Sequence, residues 1–305
     1  ACALSLLVGA VRVPVKEMLH SPILPLRLAR MALSMVAGAG LSVAGVIFQA
    51  ILLNPLAEPY VLGVSSGAGL GAALAIVLGL GAFGAWTVPA MAFVGALGTI
   101  LLVYALARTA GGSAPAQTLL LSGVVVSAVF SSMLMFLIST AESNELHSVV
   151  WWLLGNLQVF DWPLVRVVAA VVGGGLLLTL VFARDLNLMT LGEEPAAHLG
   201  LDVRFTRGLF LLAASLMAGA TVAACGLIGF VGLIVPHSVR LVLGPDHRRL
   251  VLASALAGAA FLVLADSLAR TVIAPTEIPI GVLTAFLGGP FFLFLLRRRR
   301  TPGPG

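Results

Sequence analysis

Charged residues are scarce in this 305-residue chain: only 10% of it is Asp, Glu, Lys or Arg, whereas 60% is apolar. A soluble domain has about a quarter of its residues charged. Water therefore cannot be the solvent for most of the surface, which excludes a soluble enzyme or binding domain. Repeated apolar runs long enough to cross a bilayer predict an all-α polytopic membrane protein.

Lysine is nearly absent, since Lys16 is the single one in the chain. A nucleotide-binding P-loop needs the pattern GxxxxGK[ST], in which the lysine reaches the phosphates. Lys16 lies in VPVKEML, without a glycine-rich turn before it. The chain is therefore not predicted to be an ATPase. It also lacks the HExxH, paired-Asp and Ser–His patterns of an intramembrane enzyme.

Cysteine and clustered histidine are scarce as well. Cys2 and Cys225 lie far apart in apolar sequence, and the five histidines form no HxxxH pair. Such spacing offers neither a disulfide framework nor the ligand set of a metal site. We therefore predict no metal site and no cofactor bound by this chain.

The apolar runs define the predicted spans, because about 20 apolar residues cross the hydrocarbon core of a bilayer. A further run, residues 1–11, reaches only about 16 Å as a helix and is interpreted as the end of a first span. Together they predict ten transmembrane helices in one domain covering residues 1–305. The nine complete spans are predicted at 31–53, 62–82, 86–107, 117–138, 163–183, 208–224, 227–243, 250–270 and 279–296.

The basic residues follow membrane topology. A net charge of +5 would suit a nucleic-acid partner, but the arginines lie in ones and twos at helix ends, so no such partner is predicted. With both termini in the cytoplasm, eleven Lys and Arg fall inside and six outside. This bias follows the positive-inside rule. The run Arg297–Arg300 would anchor the C-terminus inside, with membrane lipid as a partner.

The longest polar stretch, at about 184–207, has a pattern of its own. Two short amphipathic pieces, Leu186–Leu191 and Glu194–Leu199, are ended by Gly192 and Gly200. Helices of one or two turns are unstable alone in water. They must therefore pack against either the underside of the bundle or another protein.

Three sequence regions carry a family resemblance. They are residues 27–69, with NPLAEP; residues 191–200, LGEEPAAHLG; and the C-terminal third, with GFVGLIVPH, LADSLAR and PTEIPIG. These motifs closely resemble FecCD-type permease subunits of bacterial ABC importers for iron chelates, haem and cobalamin. The resemblance runs from Arg27 to the last span.

This resemblance implies the ABC importer permease fold and a homodimer with the pathway on its two-fold axis. It also implies two cytoplasmic ABC ATPase subunits, which would hold ATP and Mg, and a periplasmic substrate-binding protein. The complex would lie in the bacterial inner membrane. In such a complex, residues 184–207 would form two short helices that couple the ATPase to the bundle. The coupling positions implied by the motif are Gly192, Glu193, Ala196, Leu199 and Gly200.

Two further sites are implied by matching positions. Arg27, Arg30 and Arg270 would receive acidic residues of the binding protein, with lipid-phosphate anchoring as the alternative. Asn54 and Leu56 would form a cytoplasmic gate, although a helix-cap or turn role is open for Asn54. The second gate position, Ala116–Gln117, departs from the small hydroxyl pair of relatives.

Ionisable residues inside apolar sequence are functional candidates. His237 and Arg240 share a helix face after Pro236, and Asp266 lies in the ninth span. Structural pairing is favoured for them over a proton relay. A pathway almost free of fixed charge suits a large chelate or macrocycle, and we favour haem over a ferric siderophore or cobalamin. An ion-coupled secondary transporter is the distant alternative, because Asp266 alone cannot form its ion site.

Overall fold

The computed structural model describes residue 5 and residues 23–108, 114–158 and 162–299. Within these ranges the chain is helical, with a 3-10 turn at Leu80–Phe83 and no strand. The α-helices are α1 (Ile23–Ile51), α2 (Val64–Val77), α3 (Thr87–Ala107), α4 (Ala116–Thr140), α5 (Ser143–Leu153), α6 (Trp162–Val181), α7 (Ala183–Met189), α8 (Glu193–His198), α9 (Val203–Cys225), α10 (Val231–Leu243), α11 (His247–Ala269) and α12 (Ile280–Arg299).

The nine complete spans predicted from the sequence each coincide with an apolar helix. Six helices are long and apolar enough to cross a membrane: α1, α3, α4, α6, α9 and α11. The other three apolar helices, α2, α10 and the Ile280–Leu293 part of α12, are shorter. The prediction of an all-α polytopic membrane protein is confirmed. The predicted first span, residues 1–11, lies outside the described residues apart from Ser5.

Helix α1 is the centre of the bundle and packs against α6, α9, α10 and α11. Small residues permit this close approach, which is how helices associate in lipid. A Cβ at Gly38 would overlap the carbonyl of Gly258 on α11, and one at Gly45 would overlap the carbonyl of Gly232 on α10. These glycines therefore fix how closely α1 meets its neighbours.

Two predicted spans, 62–82 and 227–243, are longer than the helices found there. The helices found there, α2 and α10, have 14 and 13 residues and extend only about 20 Å. Each follows a non-helical segment, residues 52–63 and 226–230 respectively. Irregular backbone persists at membrane depth only where protein groups satisfy its polar atoms. Apolar run length alone does not reveal such an interruption.

Polar groups of the two non-helical segments form hydrogen bonds with each other. The Tyr60 hydroxyl donates to the Ile228 carbonyl and accepts from the Ile228 N–H, both at 3.0 Å. The Glu58 carboxylate accepts from the Phe230 N–H at 3.2 Å. Phe230 has a φ of 67°, a left-handed value that is uncommon for a residue with a side chain. Glu58 and Tyr60 thus hold the start of α10 in place.

Candidate functional site

Polar groups collect at the two ends of the bundle. The arginine end comprises the first turns of α1, the end of α11 and residues 154–158 and 270–279. The coupling end comprises residues 52–58, 114–117, 183–207 and 243–247. Because α1 runs from one end to the other, Arg30 and Asn54 mark opposite ends.

At the coupling end, residues 183–201 form the coupling segment, which is named for its predicted role. It contains the two short helices expected from the sequence, α7 and α8, with bounds shifted by one to three residues. Gly192 and Gly200 adopt φ values of 104° and 86°, which favour glycine. The two glycines therefore set the bend between the helices and the exit toward α9.

The coupling segment packs on the bundle with one set of apolar side chains and exposes another. Leu186, Met189 and Ala196 are buried, whereas Leu191 and Leu199 are 57% and 61% exposed. Packing on the underside of the bundle is therefore observed for the first set. Packing of the second set against another protein stays a prediction.

Ion pairing fastens the coupling segment to α9. The Glu193 carboxylate lies 2.7 Å from a guanidinium nitrogen of Arg207, which is buried. A second nitrogen of Arg207 donates to the Ala114 carbonyl at 2.9 Å. The predicted coupling residue Glu193 therefore has its partner inside the chain. Arg207 was not among the predicted site residues.

Asn187 fastens the same segment to α11. Its side-chain oxygen accepts from the His247 N–H at 2.9 Å, and its amide donates to Asp246 at 2.8 Å. Asp246 also accepts from the Arg248 N–H and so caps α11. The hydrogen bond from Asn187, followed by that from Arg248, lowers the pKa of Asp246. The carboxylate therefore stays charged at the start of this helix.

The predicted gate residues lie at the same end. Asn54 follows α1, and its side-chain oxygen accepts from the Leu56 N–H at 3.0 Å. The turn role considered for Asn54 is therefore present, and its gate role stays a prediction. Ala116 begins α4 after the cap Pro115, and Gln117 is exposed. A role of Ala116 and Gln117 in the gate also stays a prediction.

At the arginine end, Asp266 joins two helices. Its carboxylate lies 2.8 Å from a guanidinium nitrogen of Arg30 on α1 and 3.0 Å from that of Arg270, which follows α11. Arg270 also donates to the Ser5 hydroxyl at 3.0 Å. Asp266 is therefore paired inside the protein, as the structural interpretation of this residue expected.

Glu277 extends this cluster to the surface. It lies 2.9 Å from a second nitrogen of Arg30 and accepts from the Gln158 amide at 2.8 Å. Burial alone would raise the pKa of Glu277, but the Gln158 hydrogen bond and the Arg30 charge outweigh it and lower the pKa. Glu277 thereby ties residues 154–158 to α1. Neither Glu277 nor Gln158 was predicted as a site residue.

The three arginines predicted to dock a binding protein are mostly buried in the chain alone. Side-chain exposure is 15% for Arg30 and 6% for Arg270, and Arg27 is buried. Asp266 supplies a carboxylate to both Arg30 and Arg270, and Glu277 supplies a second one to Arg30. Docking of a binding protein at these arginines stays a prediction. Beside them is an open cavity of about 590 Å³, whose lining includes Arg30, His147, Trp151 and Glu277.

The remaining predicted residues do not join Asp266. Pro236 is buried inside α10, and the His237 ring meets Phe291 of α12 edge-on, with ring centres 6.2 Å apart. Arg240 lies toward the coupling end, where it lines a cavity of about 390 Å³ that also borders the coupling segment. Asp266 is at the opposite end of the bundle. The arrangement therefore does not link these ionisable groups in a relay.

Comparison with known proteins agrees with this architecture. The model of the FecCD transport family matches residues 1–298. A solved structure of a metal-chelate type ABC transporter in an inward-facing conformation superposes with a TM-score of 0.88 at 31% identity. The superposition covers 97% of this chain and 94% of that one. The fold is therefore that of an ABC transporter permease.

Sequence relatives extend over most of the chain. The cobalamin import system permease protein BtuC of Halobacterium salinarum is 46% identical over 275 residues, 90% of this chain and 73% of that protein. The Fe(3+) dicitrate transport system permease protein FecD of Escherichia coli is 40% identical over 309 residues, 98% and 95% of the two chains. The hemin transport system permease protein HmuU of Yersinia pestis is 39% identical over 291 residues, 92% and 85%. The chain belongs to the FecCD transport family.

Proposed function

We propose that this chain is the membrane-spanning permease of an ATP-driven importer in the bacterial inner membrane. Two separate ABC ATPase subunits would power a homodimer of it, holding ATP and Mg themselves. The observation that carries this proposal is the coupling segment, which is fastened to the bundle by Glu193 and Asn187 while Leu191 and Leu199 remain exposed. An apolar surface on a well-anchored segment suits a protein partner.

The homodimer is supported by the uneven burial of the helices. In their most apolar windows, α1 is 72% buried, whereas α4 is only 17% buried. Large apolar side chains of α4, among them Leu121, Met135 and Phe136, are exposed. A second copy and membrane lipid would cover these faces between them. A pathway between two copies would then be lined by side chains without charge.

The orientation we propose places the coupling end in the cytoplasm, together with both termini. Eleven of the seventeen Lys and Arg residues then lie inside. The arginine end would face outward and receive a substrate-binding protein. To reach Arg30, the acidic residues of the binding protein would have to share this arginine with Glu277 or displace Glu277. The reason is that the ion pair between Arg30 and Glu277 is already formed. Docking at Arg27, Arg30 and Arg270 is proposed in this form.

The cargo we propose is a large iron chelate or macrocycle, with haem as the predicted member of the class. Support comes from relatives whose names specify cobalamin, hemin and ferric dicitrate transport. A naked ion would need fixed ligands to replace its hydration shell. Among the described residues, no group of three or more His, Cys, Asp or Glu side chains offers such ligands.

Uptake into proteoliposomes tests this proposal. The chain is reconstituted with a cognate ABC ATPase and binding protein, and haem, cobalamin and a ferric siderophore compete for entry. We expect uptake that requires both ATP and the binding protein, with haem as the preferred cargo. Entry of another cargo in place of haem would reject the haem assignment and leave the proposed importer function in place. Accumulation by the chain alone, driven by an ion gradient, would reject the ABC mechanism.

A further inference from the structure

We propose that Arg207 is a positioning residue that links the coupling segment to the first turn of α4. Movement of the segment would then move residues 114–117, which include the predicted gate positions Ala116 and Gln117. This inference rests on the proposed function, because it assigns a path for motion delivered by a partner ATPase. The observation behind it is the contact geometry of Arg207, which cannot be read from the sequence.

Arg207 holds two separate parts of the chain at once. One terminal nitrogen pairs with Glu193, the first residue of α8, and the other donates to the carbonyl of Ala114. These partners are 14 and 93 positions away along the chain. A planar guanidinium with two parallel donors fixes the orientation of its partners as well as their distance. The coupling segment and the start of α4 are thus joined through one rigid group.

The joint lies where movement of α4 would be controlled. Ala114 directly precedes Pro115, the N-terminal cap of α4, and the Pro115 carbonyl accepts the N–H of Leu119 in the first turn. Ala114 is itself buried. A pull on the Ala114 carbonyl is therefore passed to the capped end of a helix. The ring of Pro115 fixes its φ, which leaves little backbone rotation to absorb the pull.

Burial makes the joint stiff. Arg207 is 4% exposed and borders a small cavity of about 170 Å³, whose lining includes Tyr104, Ala114 and Glu193. Its third nitrogen, Nε, has no hydrogen-bond partner in the described part of the chain. Buried cations are costly without compensating partners. Losing either partner would leave the buried charge of Arg207 less compensated. The contacts of Arg207 with Glu193 and Ala114 should therefore persist as the segment shifts.

The neighbouring Glu194 provides a matched control. Glu193 is half exposed and paired with Arg207, whereas Glu194 is exposed and has no ion pair within the described ranges. Both are acidic residues in the first turn of α8, so they contribute similarly to its helix dipole. Glu193→Gln keeps the size of the side chain and removes its charge. Glu194→Gln makes the same change without touching the joint.

The first test measures the ratio of cargo imported to ATP hydrolysed in proteoliposomes that contain the complete complex. We expect Glu193→Gln to lower this ratio about fivefold, the size of effect typical of residues on a coupling path. ATPase co-purification should stay at the parent level, because Leu191 and Leu199 are unchanged. Glu194→Gln should lower the ratio less than Glu193→Gln does, and any loss that it causes should follow a loss of ATPase binding. Arg207→Lys, which keeps the charge but not the fork, should fall between the parent and Arg207→Met.

A second measurement separates transmission of motion from simple support. In a background with Cys2→Ala and Cys225→Ala, Gln117→Cys is labelled by a membrane-impermeant maleimide with and without trapped ATP. The labelling rate should depend on ATP when Glu193 is present and lose that dependence with Glu193→Gln. A group that only stabilises the fold would shift both rates together and preserve their ratio.

Different outcomes test the proposed function and the inference about Arg207. If the parent complex shows no ATP-dependent uptake, the proposed function fails. If the parent imports cargo and Glu193→Gln keeps both the transport ratio and the ATP-dependent labelling, the inference about Arg207 is overturned. Loss of ATPase co-purification in Glu193→Gln would also overturn it, because the pair would then serve docking. A reduced ratio with intact co-purification and lost ATP dependence supports it.

Discussion

At the arginine end, Asp266 and Glu277 supply carboxylates to Arg30 and Arg270 within the chain. At the coupling end, the ion pair of Glu193 lies beside exposed Leu191 and Leu199. The first end pairs its charges internally and joins four parts of the chain. The second leaves apolar side chains exposed, and we propose that a partner buries them. An arginine at a helix end is therefore weaker evidence of a docking site than an exposed leucine on an anchored segment.

The largest effect is expected when the ion pairs at the arginine end are disrupted at Asp266, the carboxylate that they share. Asp266→Asn removes the carboxylate shared by Arg30 and Arg270 and leaves buried positive charge. We expect a loss of about 3–5 kcal/mol in the free energy of unfolding, as for other broken buried ion pairs. Chemical unfolding of the purified chain in lipid–detergent micelles measures it.

Asp185→Asn is the control for that change. Asp185 lies in the first turn of α7 and has no ion pair in the described part of the chain. It should cost no more than about 1 kcal/mol through the helix dipole. Equal unfolding energies for the two variants would show that the Asp266 cluster is not a structural centre.

The next effect is expected at the coupling end and concerns association. Leu199→Glu places a charge on the surface that the ATPase would cover, so affinity for the ATPase should fall about tenfold or more. Because Leu199 is exposed, the melting temperature of the chain should hardly change. Leu199→Met, which keeps an apolar side chain of similar volume, should bind like the parent. Retained ATPase binding by Leu199→Glu would refute a docking role for this surface.

The smallest effect is expected at the edge of the arginine cluster. Glu277 is 25% exposed, so Glu277→Gln should cost no more than about 1 kcal/mol of unfolding free energy near neutral pH. Its pKa in the folded chain is below the ordinary value of 4.5. Its stabilising contribution is therefore present above that value and lost as the pH falls through the lowered pKa.

Comparing the parent and Glu277→Gln at several pH values measures this contribution. The difference in unfolding free energy should shrink when the pH is lowered to about 3. A difference that stayed constant, or grew in acid, would contradict the ion pair as its source.

Much of the fold could be predicted from the sequence, since apolar run length follows bilayer thickness. The same rule overestimated the helix lengths at 62–82 and 227–243, where Glu58 and Tyr60 join the non-helical segments that precede the two shorter helices. Glu58 reaches Phe230 across 172 positions, and Tyr60 reaches Ile228 across 168. No local pattern encodes such a contact. Run length measures hydrophobicity and is insensitive to where the backbone leaves the helix.

The candidate site could also be predicted only in part from the sequence. Gly192 and Gly200 mark the coupling segment because glycine ends short helices. The partners of Arg30 were not predictable, because Asp266 and Glu277 lie 236 and 247 positions away. Arg207 was counted only as a topology signal, although it joins the segment to α4. Long-range pairing of charges depends on how the helices pack, and the chain's local periodicity does not contain that information.

The most direct test of the account is hydrogen–deuterium exchange of the chain in nanodiscs, measured with and without the partner ATPase. We expect slower exchange in residues 183–201 when the ATPase is bound. Exchange at residues 154–158 and 270–279, at the arginine end, should change less. Unaltered exchange across 183–201 in a complex that still contains the ATPase would contradict the central claim that this segment is its docking surface.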